Sequence, residues 1–143
     1  MKKRDLLILA FLPTVAGIVL FNLVVLLGGS EAALYGLQTV LSVALLAGWY
    51  GVGRWAAGQD KRPWPVFALL QWWGAVSVVF GFVPSVGVLG SLSQMYGACM
   101  SLLLTPTADL LGGAYLPLQA FLTLALTSAA CLLGFAAKQR RSL

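Results

Sequence analysis

Four long apolar runs dominate this chain, at residues 6–28, 33–55, 64–83 and 115–137. The first reads "LLILAFLPTVAGIVLFNLVVLLG" and follows the basic cluster Lys2, Lys3 and Arg4. As a helix it reaches roughly 34 Å, enough to cross a bilayer. Backbone in hydrocarbon must satisfy its own polar groups, which leaves helices or closed barrels. A barrel needs alternating polar and apolar positions, and these unbroken runs do not provide them. Composition agrees: the chain is 60% hydrophobic and only 9% charged, whereas soluble domains are about a quarter charged. The expected fold class is an all-α integral membrane protein, one polytopic domain over residues 1–143. A cleaved signal peptide is the rival reading of the first run, because Ser30-Glu31-Ala32 resembles a cleavage site. The run exceeds the roughly 7–15 residues of a signal core, so it is read as a crossing.

Short connections set the order of the runs. "GSE" separates the first two, which predicts a tight helical hairpin. The next loop carries Asp60, Lys61 and Arg62, and Pro63 and Pro65 suit the start of the third helix. Pro84 ends that helix. Residues 85–104 are also uncharged and long enough to cross.

The charges decide between four crossings and five. If residues 85–104 do not cross, all nine basic residues fall on one side of the membrane, and the opposite loops hold only Glu31 and Asp109. If they cross, Lys138, Arg140 and Arg141 move to the other side. Basic residues collect on the cytoplasmic side, which favours four crossings with both termini inside. Residues 84–114 then form an outer cap, with an interfacial or re-entrant helix at about 85–104. On such a helix Gly90, Gln94, Gly97 and Ser101 share one stripe. Two weak echoes suggest a parallel repeat: "KRDLLILAFL" at Lys3 against "KRPWPVFALL" at Lys61, and "LLGG…Y…LQ" at residues 26–38 and 110–119.

Several classes of function find no support. The formal charge of +5 is spread over three small groups flanking apolar runs, too little for a nucleic-acid footprint. There is no histidine, and Cys99 and Cys131 have no metal-ligand spacing. No cofactor is expected. Asp5, Glu31, Asp60 and Asp109 all sit at boundaries or in loops, so no carboxylate lies in a core run to couple protons.

Polar side chains within the runs mark the candidate sites. Gln119, Thr123, Thr127 and Cys131 recur every four residues, one stripe on the last helix. Gln38 and Ser42 do the same on the second, and Asn22 lies at a similar level on the first. With Gln94 and Asp109 above them in the cap, Asn22, Gln38, Ser42, Gln119 and Thr123 outline an outward-facing vestibule. Interhelical adhesion is the competing role for the same residues. Gln71 and Arg54 form a candidate inner polar site. Gln71 is expected to hydrogen-bond a neighbouring helix, and Arg54 to snorkel beside Trp49, Tyr50 and Trp55.

The expected function is non-enzymatic. The first reading is an accessory, scaffold or immunity-type subunit acting through helix–helix contacts, as a homo-oligomer or with another membrane protein. Pairs such as Ala44/Gly48 and Ala47/Gly51 support close helix contact. The alternative is a homo-oligomeric carrier or pore for a small neutral or zwitterionic solute. An enzyme acting on lipid through Asp109 ranks third, for want of an acid–base pair. Short loops suggest a bacterial cytoplasmic membrane.

Overall fold

The computed structural model describes all residues except 1, 60–61, 83–86, 105–109, 111, 113–114 and 143. In chain order it forms α1 (Lys3–Leu9), α2 (Leu12–Leu26), α3 (Glu31–Gly58), α4 (Pro63–Gly81), α5 (Val88–Gly97), a 3-10 turn (Met100–Leu103) and α6 (Tyr115–Ser142). Four stretches are long and apolar enough to span a membrane: Lys3–Leu26, Glu31–Gly58, Pro63–Gly81 and Pro117–Arg141.

The boundaries follow local chemistry. Proline has no N–H and disfavours helical backbone just before it, and Pro13 sits in the first turn of α2, after the break at Ala10–Phe11. At the other end of α2, Gly28 and Gly29 take φ of 86° and 71°, in the left-handed region that glycine enters without penalty. Their N–H groups donate to Val25 and Val24 carbonyls at 3.1 and 2.8 Å, closing the helix. Ser30 then caps α3, its hydroxyl accepting from the Ala33 N–H at 3.2 Å, and Glu31 adds a negative charge at the positive end of the helix dipole. Pro63 begins α4, as expected.

Helix directions are legible in the contacts. Gly53 of α3 lies against Cys131 and Phe135 of α6, Gly134 against Tyr50, and Gly58 near Lys138. Residue numbers rise together, so α3 and α6 run parallel. Against α4, Gly81 meets Pro117, Gly74 meets Leu124 and Gln71 bonds Thr127. Here numbers rise in opposition, so α4 and α6 are antiparallel. Lys3 shares a groove with Arg62, and Thr14 bonds Trp73, so α1–α2 run parallel to α4. The start of α1, the end of α3, the start of α4 and the end of α6 therefore share one end of the bundle. That end carries Lys2, Lys3, Arg4, Arg54, Arg62, Lys138, Arg140 and Arg141; Lys61 lies outside the described residues.

The chain leaves α4 and enters α6 at the opposite end, where Gly81 packs on Pro117. The intervening segment does not traverse the bundle. It is also not laid over the outside. From an exposed Val88, α5 descends between α2, α4 and α6. Ser93 donates to the Ser77 carbonyl, and Tyr96 is buried with its hydroxyl against Gly74. Gly74 lies two turns from the end of α4, about 10 Å down by helical rise. The 3-10 turn then brings the chain back up along α3. Glycines permit this insertion: a side chain at Gly17 would strike the Met95 backbone, and one at Gly97 the Gln119–Ala120 backbone.

Polar side chains are buried among an apolar core, and the outside is apolar. Gln38, Gln71, Gln119, Thr123, Thr127, Ser77, Ser93 and Ser101 are buried, while Ile8, Phe21, Val25, Leu26, Val40, Val43 and Val79 are exposed. Such a surface suits hydrocarbon.

Candidate functional site

A helix that ends inside a bundle leaves its last carbonyls without partners, and away from water each orphan is costly. The end of α5 is in that position, and the polar stripes of α3 and α6 meet it. Gln38 Nε2 donates to the Ala98 carbonyl and to Ser101 Oγ, both at 2.9 Å. Ser42 Oγ donates to the Cys99 carbonyl at 2.8 Å. Gln119 Nε2 reaches the Gln94 carbonyl at 3.4 Å. Ser101 Oγ also donates to the Ala98 carbonyl at 2.7 Å. Three neighbouring side chains thus satisfy carbonyls in the last turn of α5 and in the two residues that follow it.

Beside this junction a cleft of about 340 Å³ opens between α2, α3, the inserted segment and α6. Gly17, Leu20, Phe21 and Val24 make the α2 wall, and Leu34 with Gln38 the α3 wall. Gln94, Met95, Ala98 and Ser101 line the inserted side, and Gln119 the α6 side. Gln38, Gln94 and Gln119 therefore meet the cleft from three separate elements. No charged side chain among the described residues lines the cleft. Gln38 is 5% exposed, and its Oε1 has no hydrogen-bond partner among the described residues.

The other vestibule residues are placed differently. Asn22 is exposed and its Nδ2 donates to the Ile18 carbonyl of its own helix at 2.8 Å, so it does not line the cleft. Ser42 lies below the cleft, spent on Cys99. Thr123 is fully buried and donates to the Gln119 carbonyl at 2.9 Å. Asp109 lies outside the described residues.

Below the cleft the interior is closed by a second polar cluster. Gln71 Nε2 donates to Thr127 Oγ1 at 3.2 Å, and Tyr96 is buried with its hydroxyl against Gly74. Arg54 does not join Gln71. It lies on α3 at the level of Gly134 and so two turns from Thr127, about 10 Å along the axis. Its guanidinium stands 6.0 Å from the centre of the Tyr50 ring, a cation–π distance. Of the adjacent tryptophans, Trp73 is buried and donates to Thr14 Oγ1 at 2.8 Å, while Trp72 faces outward. Sequence reasoning placed Ser101 on the small and polar stripe of residues 85–104 without a partner, and gave Tyr96 and Thr14 no polar role. Their partners are distant in the chain, and only hydroxyls within apolar runs signalled them.

No protein-family model, curated protein or solved structure matches this chain.

Proposed function

We propose that this chain is a non-enzymatic membrane protein that binds a small neutral or zwitterionic molecule in the amide-lined cleft. The observation that carries the reading is that Gln38, Gln94 and Gln119 all line one cleft, and that Gln38 keeps a buried amide oxygen without a hydrogen-bond partner among the described residues, which a small turn of the amide would bring to the cleft. A buried acceptor without a partner costs about 1–3 kcal/mol, and a ligand that donates a hydrogen bond removes that cost. The ligand thus brings a hydroxyl, amide or ammonium donor on an otherwise apolar body, matched to Leu20, Phe21 and Val24. The volume is at the small end of ligand sites, which start near about 300 Å³. In this reading the basic end faces the cytoplasm of a bacterial cell and the cleft faces outward. Carriage across the membrane requires the inserted segment to move, because Tyr96, Gln71 and Thr127 close the path below the cleft.

The test is native mass spectrometry of the chain extracted from its own membranes, followed by flux of any retained molecule in proteoliposomes. Retention of one small molecule by the wild type and its loss in Gln119→Leu supports the reading. An empty wild-type protein and no flux sink it.

A second reading, an accessory subunit, is favoured by a different observation. Gly36, Gly48 and Gly51 lie on the exposed face of α3 with nothing within 4 Å of where a side chain would begin. Val40 and Val43 share that face and are exposed. Small residues at this spacing admit a partner helix closely. Co-purification of a stoichiometric membrane protein, abolished by Gly48→Leu, supports this reading; a lone monomer in native membranes counts against it.

A further inference from the structure

We infer that the groove between α1 and α4, at the basic end, is a binding site for one anionic phospholipid. The groove holds about 270 Å³ and is lined by Lys3, Leu6, Arg62, Pro65, Val66 and Leu69. Its base is apolar: Leu6 and Val66 are 2% and 4% exposed. Its mouth carries two exposed cations from two different helices, Lys3 and Arg62. The ion pair formed nearby joins Arg4 to Asp5, and neither Lys3 nor Arg62 has a carboxylate partner among the described residues.

The groove lies where α1, ahead of the break at Ala10–Phe11, packs along α4. Trp64 fixes the depth. It follows Arg62 by two residues, is 69% exposed, and tryptophans so placed lie at the headgroup level. A phosphate between Lys3 and Arg62 therefore sits among headgroups. From there Leu6, Val66 and Leu69 run one to two turns toward the middle of the bundle, the direction taken by acyl chains. Basic pockets between helices on the positively charged side of membrane proteins hold anionic lipid headgroups in this way. A soluble phosphate matches the cations but leaves the apolar base uncovered, so a lipid is the occupant.

The test uses the full-length chain in a non-ionic detergent, offered equal amounts of dioleoyl phosphatidylglycerol and dioleoyl phosphatidylcholine, with bound lipid read by native mass spectrometry. The expected result is a preference for phosphatidylglycerol of about thirtyfold, the effect of two surface cations at about 1 kcal/mol each. Lys3→Gln with Arg62→Gln removes the preference. Arg140→Gln with Arg141→Gln, the same charge change at the same end, leaves it intact. Excess glycerol 3-phosphate does not displace the lipid. Equal retention of the two lipids overturns the inference. Equal loss in both double variants also overturns it, by showing diffuse attraction to basic residues. Displacement by glycerol 3-phosphate overturns it in favour of a free phosphate.

Discussion

Gly53 and Gly134 mark one close approach of α3 and α6, each set against the other helix's backbone: a side chain at Gly53 would strike the Cys131 carbonyl, and one at Gly134 the Tyr50 carbonyl. A side chain on either would have to enter a main-chain atom, which cannot move aside as a side chain can. We expect Gly53→Ala and Gly134→Ala each to destabilise the protein by about 1–3 kcal/mol, the usual cost of overpacking. Gly48→Ala, on the open face of the same helix, is expected to be neutral or slightly stabilising. Denaturant unfolding in detergent micelles compares the three. Similar behaviour of Gly53→Ala and Gly48→Ala would remove the close approach.

Gln38 supplies the donors that complete the end of α5. Gln38→Leu leaves the Ala98 carbonyl with Ser101 alone, at a cost of about 1–3 kcal/mol. The inserted segment should loosen before the bundle does. Cys99 is fully buried beside this junction, so its reaction with a maleimide reports the loosening. Labelling at Cys99 is expected to rise at least tenfold in Gln38→Leu with Ser42→Ala, against a Cys131→Ser background. An unchanged rate would mean these side chains do not hold the segment in place.

Gly74 lies against the Tyr96 hydroxyl and Leu124. Gly74→Ala should therefore be harmful, by about 1–3 kcal/mol, and less so when Tyr96→Phe removes the oxygen it meets. Tyr96→Phe alone removes a buried hydroxyl, at a cost of about 1 kcal/mol. A double-mutant cycle on melting curves should show coupling between the two sites. Strict additivity would place Tyr96 elsewhere than against α4.

The entry and exit of the inserted segment at one end of the bundle predict a labelling pattern in cells. With Cys99 and Cys131 replaced by serine, Asp109→Cys should react with a membrane-impermeant thiol reagent added to intact cells. Ser142→Cys should react only after lysis. Reaction of Ser142→Cys from outside, with Asp109→Cys reacting only after lysis, would require a fifth crossing and a reversed final helix.

The echoes noted in the sequence gain meaning from the packing. Gln38 and Gln119 line one cleft, and Gly53 and Gly134 meet at one level, at the same offset along parallel helices. Leu37, Leu41, Ala44 and Leu45 repeat at that offset as Leu118, Leu122, Ala125 and Leu126. The sequence match is weak by itself, because leucine-rich segments coincide easily. Parallel packing of the two helices brings the matched residues to matched depths.

The four apolar helices, their order and the end that carries the cations were legible in the chain, because hydropathy and charge act locally along it. So was the break before Pro13, since a missing N–H is a property of one residue. Tertiary structure decided the rest. Residues 85–104 are uncharged and fit a crossing, an interfacial helix or an insertion equally well; what selects insertion is room at Gly17, Gly74 and Gly97 and donors at Gln38, Ser42 and Gln119. Likewise, Asn22 and Gln38 looked equivalent by depth. A single sequence shows how far down a helix a residue sits, but its facing depends on which neighbours pack there. One amide turned back to its own helix, and the other came to line a cleft.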